Sequence, residues 1–427
     1  ASAAVARHGA VSRRAVAPSS AAAHARTLWS GVPAAPPDPI FGLTEAYKKD
    51  DCADKINLGV GAYRTDDGKP YVLPSVFEAE ARVHNRHLDH EYLPLHGDSR
   101  YIDVALKLCY GEDSVPLQEG RIAAVQTISG TGALRTAGEM VRRFRPDGTP
   151  LYMSNPTWAN HATIFTDVGL DVRQYKYYEP STISLDFEGM MHDLHNAPDG
   201  SAVLLHACAH NPTGIDPSHE QWRELCALAI KKELICIFDN AYQGFASGDP
   251  EADAFSLRHF VEEGVNIMTC QSFSKNFGLY GERVGACSIV TNNETETSAV
   301  LSQLKKVSRG MISNPPLHGA RLVAEVMSDP ELSAQWSIEC AGMAKHIHDM
   351  RHMLHLELVA VGSELDWSHI TKQIGMFCYS GLTEEHVEKL INEHHVYLTK
   401  NGRISMAGVN SKNIKYLASA IHAVTSE

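Results

Sequence analysis

Five short runs in this chain are apolar on both sides of the backbone: IAAVQTIS (122–129), AVLLHACA (202–209), LICIFD (234–239), NIMTCQS (266–272) and GACSIV (285–290). A strand with one wet face alternates apolar and polar residues, whereas a near-continuous apolar run suits a strand covered on both faces. Amphipathic helical patterns separate these runs. After SGTG, Leu134, Ala137, Met140, Val141 and Phe144 recur at helical spacing, and Ser218 with Gln221 is a capping-box signature ahead of Trp222, Leu225 and Ala229. Strands alternating with helices predict an α/β chain with a mostly parallel, doubly wound central sheet flanked by helices. Beyond residue 340 the pattern changes to a long helix presenting Met343, Ile347, Met350 and Leu354, then the alternating segment IGMFCYSG, then NGRISMAG. That part reads as a separate, smaller domain.

Several function classes are disfavoured before any motif is considered. The 427 residues carry a formal net charge of −13 and no local basic patch, so a phosphate backbone is repelled and nucleic acid is not an expected partner. No stretch approaches the roughly 20 consecutive apolar residues of a membrane-spanning helix, so a soluble protein is expected. The nine cysteines are odd in number and include no C-x-x-C pair, which argues against a disulfide framework or a zinc ribbon. Residues 1–37 contain Arg7, Arg13, Arg14 and Arg26, many alanines and serines, and no acidic residue. Without a continuous apolar segment, this is the composition of an organelle transit peptide rather than a secretory signal; a disordered Ala-rich tail is the plainer alternative.

Four stretches carry chemistry. In QSFSKNFGLYGERVG (271–285), Lys275 stands between hydroxyls and a guanidinium. An amine in such a pocket loses its proton readily and can form a Schiff base with an aldehyde, while Ser272, Ser274 and Arg283 suit a phosphate. Taken alone, Lys275 reads as a loop lysine in solvent, and it is the neighbouring hydroxyls and guanidinium that shift the balance. In SGTGALRTAGEM, Ser129, Gly130 and Thr131 close a strand and open a helix, where unpaired amides favour an anion. In LICIFDNAYQGF, Asp239 sits at the carboxyl end of an apolar strand, the usual ligand edge of an open α/β sheet. A carboxylate there can partner a protonated heteroaromatic ring nitrogen, and Tyr242 can reach a phenolic oxygen of the same ring. In AHNPTGIDP, Asn211 is either a turn residue or an amide aimed at that oxygen.

Together and in this order the segments match a family. From PPDPIFGLTEAYKKD onward the chain resembles the aspartate aminotransferases, pyridoxal-phosphate enzymes of fold type I. The resemblance runs through INLGVGAYRTDDGKPYVLPSV, EYLPLHGD, SGTGAL, NPTWANH, HNPTGIDP, DNAYQGFA, SFSKNFGLYGERVG, SNPPLHGA, QIGMFCYSGL and NGRISMAG. It implies that Lys275 is the Schiff-base lysine and the acid–base that shuttles the substrate's proton. Asp239 would pair with the pyridine nitrogen, Tyr242 and Asn211 with the ring hydroxyl oxygen, and Trp158 would stack on the ring. Ser129, Gly130, Thr131, Ser272, Ser274 and Arg283 would hold the phosphate, together with Tyr92 from a neighbouring subunit. Arg403 would grip the substrate's α-carboxylate, Arg309 of the partner chain its distal carboxylate, and Gly61 would lie against the substrate.

The resemblance further implies a homodimer with shared active sites, and small dicarboxylic amino acids and 2-oxo acids as substrates: L-aspartate and 2-oxoglutarate exchange an amino group to give oxaloacetate and L-glutamate. It implies four segments: a leader (1–37), the N-terminal part of a small domain with an arm (38–68), a large cofactor-binding domain (69–340) and the C-terminal part of the small domain (341–427). The mitochondrial matrix is the expected compartment, since DDGKPYVLPSV is most similar to the mitochondrial branch; a plastid is the alternative. Asp98, Ser99 and Arg100 depart from the family's usual apolar stretch, which leaves interface detail open.

Other readings compete. Ser272-Phe-Ser-Lys275 satisfies S-x-x-K, but the S-D-N and K-T-G partners of that serine-nucleophile fold are missing. His348, His352 and His355 share a helix face without a completing acid or thiol, so no metal is expected there, and His206 and His210 read as packing groups near the cofactor strand. An aromatic or kynurenine aminotransferase, or a non-catalytic binding protein of the same fold, are the functional alternatives.

Overall fold

The apolar runs form five adjacent strands of one seven-stranded sheet, starting from one edge. A computed structural model describes residues 29–35 and 39–426, so most of the leader expected over 1–37 lies outside the described residues. Side by side lie the strands Ile122–Ile128, Val284–Val290, Met268–Ser272, Ile235–Asn240, Ala202–His206, Pro150–Asn155 and Asp171–Lys176. The sheet is parallel except at Val284–Val290, which runs antiparallel to both of its neighbours. Val284–Val290 and Met268–Ser272 are buried along their whole length, as expected for strands sandwiched between helical layers.

The apolar pattern did not announce two strands. Pro150–Asn155 is buried over its first five residues, but Pro150, Ser154 and Asn155 leave only three apolar side chains in a row. Asp171–Lys176 is an edge strand whose Arg173 and Gln174 face solvent; such an edge needs no apolar run, and its charges deter further strand pairing.

The helix predicted after SGTG spans Ser129–Phe144 and buries Leu134, Ala137, Met140 and Val141. Phe144 departs from expectation: it lies in the last turn, past the sheet's cover, and is 50% exposed. The capping box is present in full, with the Gln221 N–H donating to Ser218 Oγ at 3.2 Å and the Ser218 N–H to Gln221 Oε1 at 2.8 Å. The polar triplet at 98–100 has a local cause as well, since Asp98 caps the helix Ser99–Tyr110 by accepting from the Arg100 and Tyr101 amides.

The long helix is Pro330–Ala360, started by Asp329 and Pro330, with Met343, Ile347, Met350 and Leu354 buried. It runs unbroken through 340–341, so the division expected there falls inside one element. At its start Trp336 stacks on Phe277 (5.0 Å between centroids) and donates from its indole to the Asn276 carbonyl. Further along, Arg351 is fully buried without a carboxylate and donates instead to the carbonyls of Ile370, Gly375 and Phe377. The N- and C-terminal parts of the chain meet where Ile56–Asn57 pairs in parallel with Val396–Tyr397, and within the C-terminal part Phe377–Tyr379 pairs antiparallel with Arg403–Ser405. No described helix is long and apolar enough to cross a membrane, and the described residues hold no group of three or more His, Cys, Asp or Glu able to bind a metal.

Candidate active site

Chain direction gathers the candidate residues. Parallel strands deliver their C-terminal ends to one edge of the sheet, which brings there Asp239, the loop with Asn211, the loop with Trp158, the helix start at Ser129 and the Ser272–Lys275 turn. Because Val284–Val290 runs the other way, Arg283, just before it, arrives at the same edge. Gly61, Phe377 and Arg403 close the site from the two chain ends. Together they line a cavity of about 180 Å³, room for a small molecule rather than a polymer. A depression of about 750 Å³ near Arg121 and Arg258 is larger. Its arginines are already paired with Glu119 and Glu251, so charge rather than size singles out the first cavity.

One end of the cavity is built for an anion. Ser129 Oγ lies 3.2 Å from Ser272 Oγ and 3.0 Å from Ser274 Oγ, at the N-terminus of a sixteen-residue helix. Ser129 adopts φ +58° and Arg283 φ +56°, the left-handed turns that bend both chains around this corner. Gly285 is required behind them, because a Cβ there would come within 2.5 Å of the Ser129 carbonyl carbon.

The middle holds the amine and the carboxylate. Burial, opposed by the pull of Asp239 and aided by the Arg283 charge, brings the Lys275 amine down to about 8. For Asp239, burial is the largest influence and acts upward. The hydrogen bond from His161 leads the opposing influences, with the Lys275 charge in support, and together they outweigh burial and hold the carboxyl below the usual range. The direction of the supporting hydrogen bonds can be read. The Asn211 backbone N–H donates to His206 Nδ1 (3.3 Å), which puts the His206 proton on Nε2, facing Thr157 Oγ1 at 3.1 Å. The Thr157 hydroxyl then donates to His161 Nδ1 (2.8 Å), and His161 Nε2–H donates to Asp239 Oδ2 (3.0 Å). Burial, reinforced by His161, drives His206 down to about 3, so it stays neutral at physiological pH and the polarity of the chain is kept.

At the far end Arg403 is 5% exposed, with its guanidinium 4.1 Å from the centroid of Phe377 and donating to the Gly59 carbonyl. Its Nε and the Asn211 Oδ1 are buried without partners, two polar atoms left for something that enters the cavity. Trp158 meets His161 edge-on at 5.1 Å, and Tyr242 is buried 6.0 Å from Lys275 Nζ.

Two candidates lie elsewhere. Tyr92 is 80% exposed, and Arg309 is exposed with Nη1 donating to Ser313 Oγ; neither lines the cavity. Sequence reasoning in turn missed His161, Thr157 and Phe377. His161 stands in the quoted segment NPTWANH, but nothing in local spacing points to a carboxylate 78 residues further on.

A family model described as aminotransferase class I and II matches residues 53–421. The chain belongs to the class I and II aminotransferases. Among this aminotransferase's relatives, "Aspartate aminotransferase, mitochondrial" of Dictyostelium discoideum is 53% identical over 93% of either chain. Cytoplasmic aspartate aminotransferase from Saccharomyces cerevisiae superposes with a TM-score of 0.91 at 44% identity, covering 94% of this chain and 99% of its own. An aromatic-amino-acid aminotransferase from Burkholderia pseudomallei, solved covalently bound to pyridoxal phosphate, also gives 0.91, at 42% identity over 93% of this chain and 99% of its own. The fold is thus that of the family the motifs indicated, and the aminotransferase's cavity lies within the matched span.

Proposed function

We propose that this chain reversibly transfers the amino group of L-aspartate to 2-oxoglutarate, giving oxaloacetate and L-glutamate by a ping-pong route, with pyridoxal 5'-phosphate as cofactor. The observation that carries the reading is the convergence on one cavity, beside an anion cradle, of Lys275, Asp239 and Arg403, whose Nε has no partner. The cavity suits the cofactor: Ser129, Ser272, Ser274, Arg283 and the helix start for the phosphate, Asp239 for the ring nitrogen, Asn211 and Tyr242 for the ring hydroxyl, Trp158 for the ring face. When bound, the cofactor supplies an aldehyde to take the amino group and a ring to accept electrons from the substrate carbon.

The remaining work falls to the chain. With its amine titrating at about 8, Lys275 is partly neutral at physiological pH, able to take the proton from the substrate's α-carbon and give it back on the other side of the transfer. Asp239, kept ionised with the help of His161, would face the ring nitrogen and favour its protonated form. Arg403 orients the α-carboxylate through a two-point fork, with Gly61 against the substrate backbone.

A second carboxylate needs a second fork. The reading therefore includes a homodimer in which Tyr92 and Arg309 cross into the partner's site, Tyr92 toward the phosphate and Arg309 toward the distal carboxylate. Their exposure in the single chain supports this. The division into 38–68, 69–340 and 341–427 and a mitochondrial matrix address belong to the same proposal, the latter supported by the Arg-bearing leader and the mitochondrial relatives. Amino-donor profiling tests it: L-aspartate and L-glutamate should be the preferred donors, in a yellow preparation bleached by borohydride. A preference for aromatic donors would favour the activity in the Burkholderia relative's name, and a colourless, inactive protein a non-catalytic role.

A further inference from the structure

We infer that Gln126 and Asn314 are positioning residues that brace two partner-facing loops, and so set where Tyr92 and Arg309 stand in the neighbouring subunit's site. The inference rests on the dicarboxylate reading above.

Gln126 sits inside the strand Ile122–Ile128 with no solvent exposure, opposite Ala286. A buried primary amide is costly unless both its donor and its acceptor are met. Here each is met by a different loop. Gln126 Oε1 accepts from the Asp98 N–H at 3.2 Å, while Nε2 donates to the Pro316 carbonyl at 2.6 Å. Its own backbone N–H donates to the His96 carbonyl at 2.8 Å. Gly97, at φ +104°, lies flat on the same side chain, where a Cβ would come within 2.3 Å of Gln126 Cβ. One side chain thus fastens the loop that carries Tyr92 to the loop that follows Arg309.

Asn314 makes the second fastening, nearer the functional groups. Its Nδ2 donates to the carbonyl of Leu93, the residue after Tyr92, at 2.7 Å. Its Oδ1 accepts from Arg309 Nη1 at 3.3 Å and from Ser313 Oγ at 3.0 Å. Ser313, which takes the other Arg309 bond at 2.6 Å, is itself held at φ +64°. The backbone beside Tyr92 and the guanidinium of Arg309 are therefore joined through one amide. Gln126 also precedes Ser129 on the strand that leads into the chain's own anion cradle. The groups a protomer lends to its partner are registered against the sheet that builds its own site. A two-point arginine–carboxylate contact tolerates little displacement, so loosening either amide should act on the distal carboxylate first.

The test uses full-length dimer loaded with cofactor, and compares kcat/KM for L-aspartate with that for L-alanine, which lacks the distal carboxylate. Gln126→Met and Asn314→Leu should each lower the aspartate-to-alanine ratio by roughly ten- to a hundredfold, with the alanine value changing far less. Equal loss on both amino acids would assign the amides a merely structural role, and no loss would make them irrelevant; either overturns the inference. Arg309→Ala is run in parallel. An unchanged ratio there sinks the dicarboxylate reading itself, whereas a collapsed ratio with both amide variants behaving as wild type leaves that reading standing and removes the brace. Asn314 lies in a partly exposed loop, so its variant decides the matter if Gln126→Met fails to fold.

Discussion

Asp239 and Arg309 are both charged groups placed for a ligand, yet the protein treats them in opposite ways. Asp239 lies at the end of a covered strand, with three residues, His161, Thr157 and His206, aligned behind it to keep it ionised. Arg309 stands in solvent on the last turn of the helix Glu294–Met311, held by hydrogen bonds to Ser313 and Asn314 rather than by a carboxylate. The cavity floor is completed by contacts within one chain, whereas the edge that carries Arg309 lies exposed. A buried charge must be compensated during folding of its own protomer, while an exposed one can wait for the partner and the substrate.

That contrast can be broken experimentally. The largest effect should come from the floor: Lys275→Ala should cost about 10²–10⁴-fold or more in turnover while cofactor still binds, and full activity would refute the assignment. Arg309→Asp should lower kcat/KM for L-aspartate on the order of a hundredfold and turn preference toward basic donors. Mixing these two inactive variants is sharper still. If Arg309 acts across the dimer, hybrids contain one site with both groups intact, and activity returns on mixing; no return would place Arg309 in its own protomer's site.

Asp239→Asn should cost about ten- to a hundredfold through loss of one charge-assisted hydrogen bond, measured as transamination rate and cofactor retention. The pH response of Lys275 is a smaller effect. Its folded value of about 8 lies below the ordinary lysine value, so the neutral fraction climbs with pH and levels off above about 8. Reductive alkylation of cofactor-free protein should follow that curve; a plateau only near 10.5 would mean that burial does not perturb the amine. Smallest of all, Asp98→Ala removes the cap of the helix Ser99–Tyr110 and should lower stability by about 1 kcal/mol, read as a fall in Tm with donor preference unchanged.

Much of the floor was legible in the chain as written. Lys275 with its serines, Asp239 after an apolar strand and the SGTG turn each carry a local signal, because strand ends, helix starts and glycine turns leave marks within a few residues. Phe144 shows the limit of periodicity: helical spacing continues to it, but the sheet it would cover does not. His161 shows another, since its partner is remote in sequence and only the packing of the helix Asn160–Val168 beside the end of the strand Ile235–Asn240 brings them together. The paired amides Gln126 and Asn314 were invisible for the same reason, as neither has a neighbour in sequence that suggests a brace.

By itself, then, the order of residues determined the strand and helix alternation, the amine, the carboxylate at a strand end and the serine corner, all of which depend on short-range patterning. Tertiary structure alone decided which oxygen of Asp239 His161 occupies, that Arg403 packs on Phe377, and that Tyr92 and Arg309 share a scaffold outside the cavity. Those are contacts between distant segments, and their geometry is settled only when the strands pair and the chain ends close over the sheet.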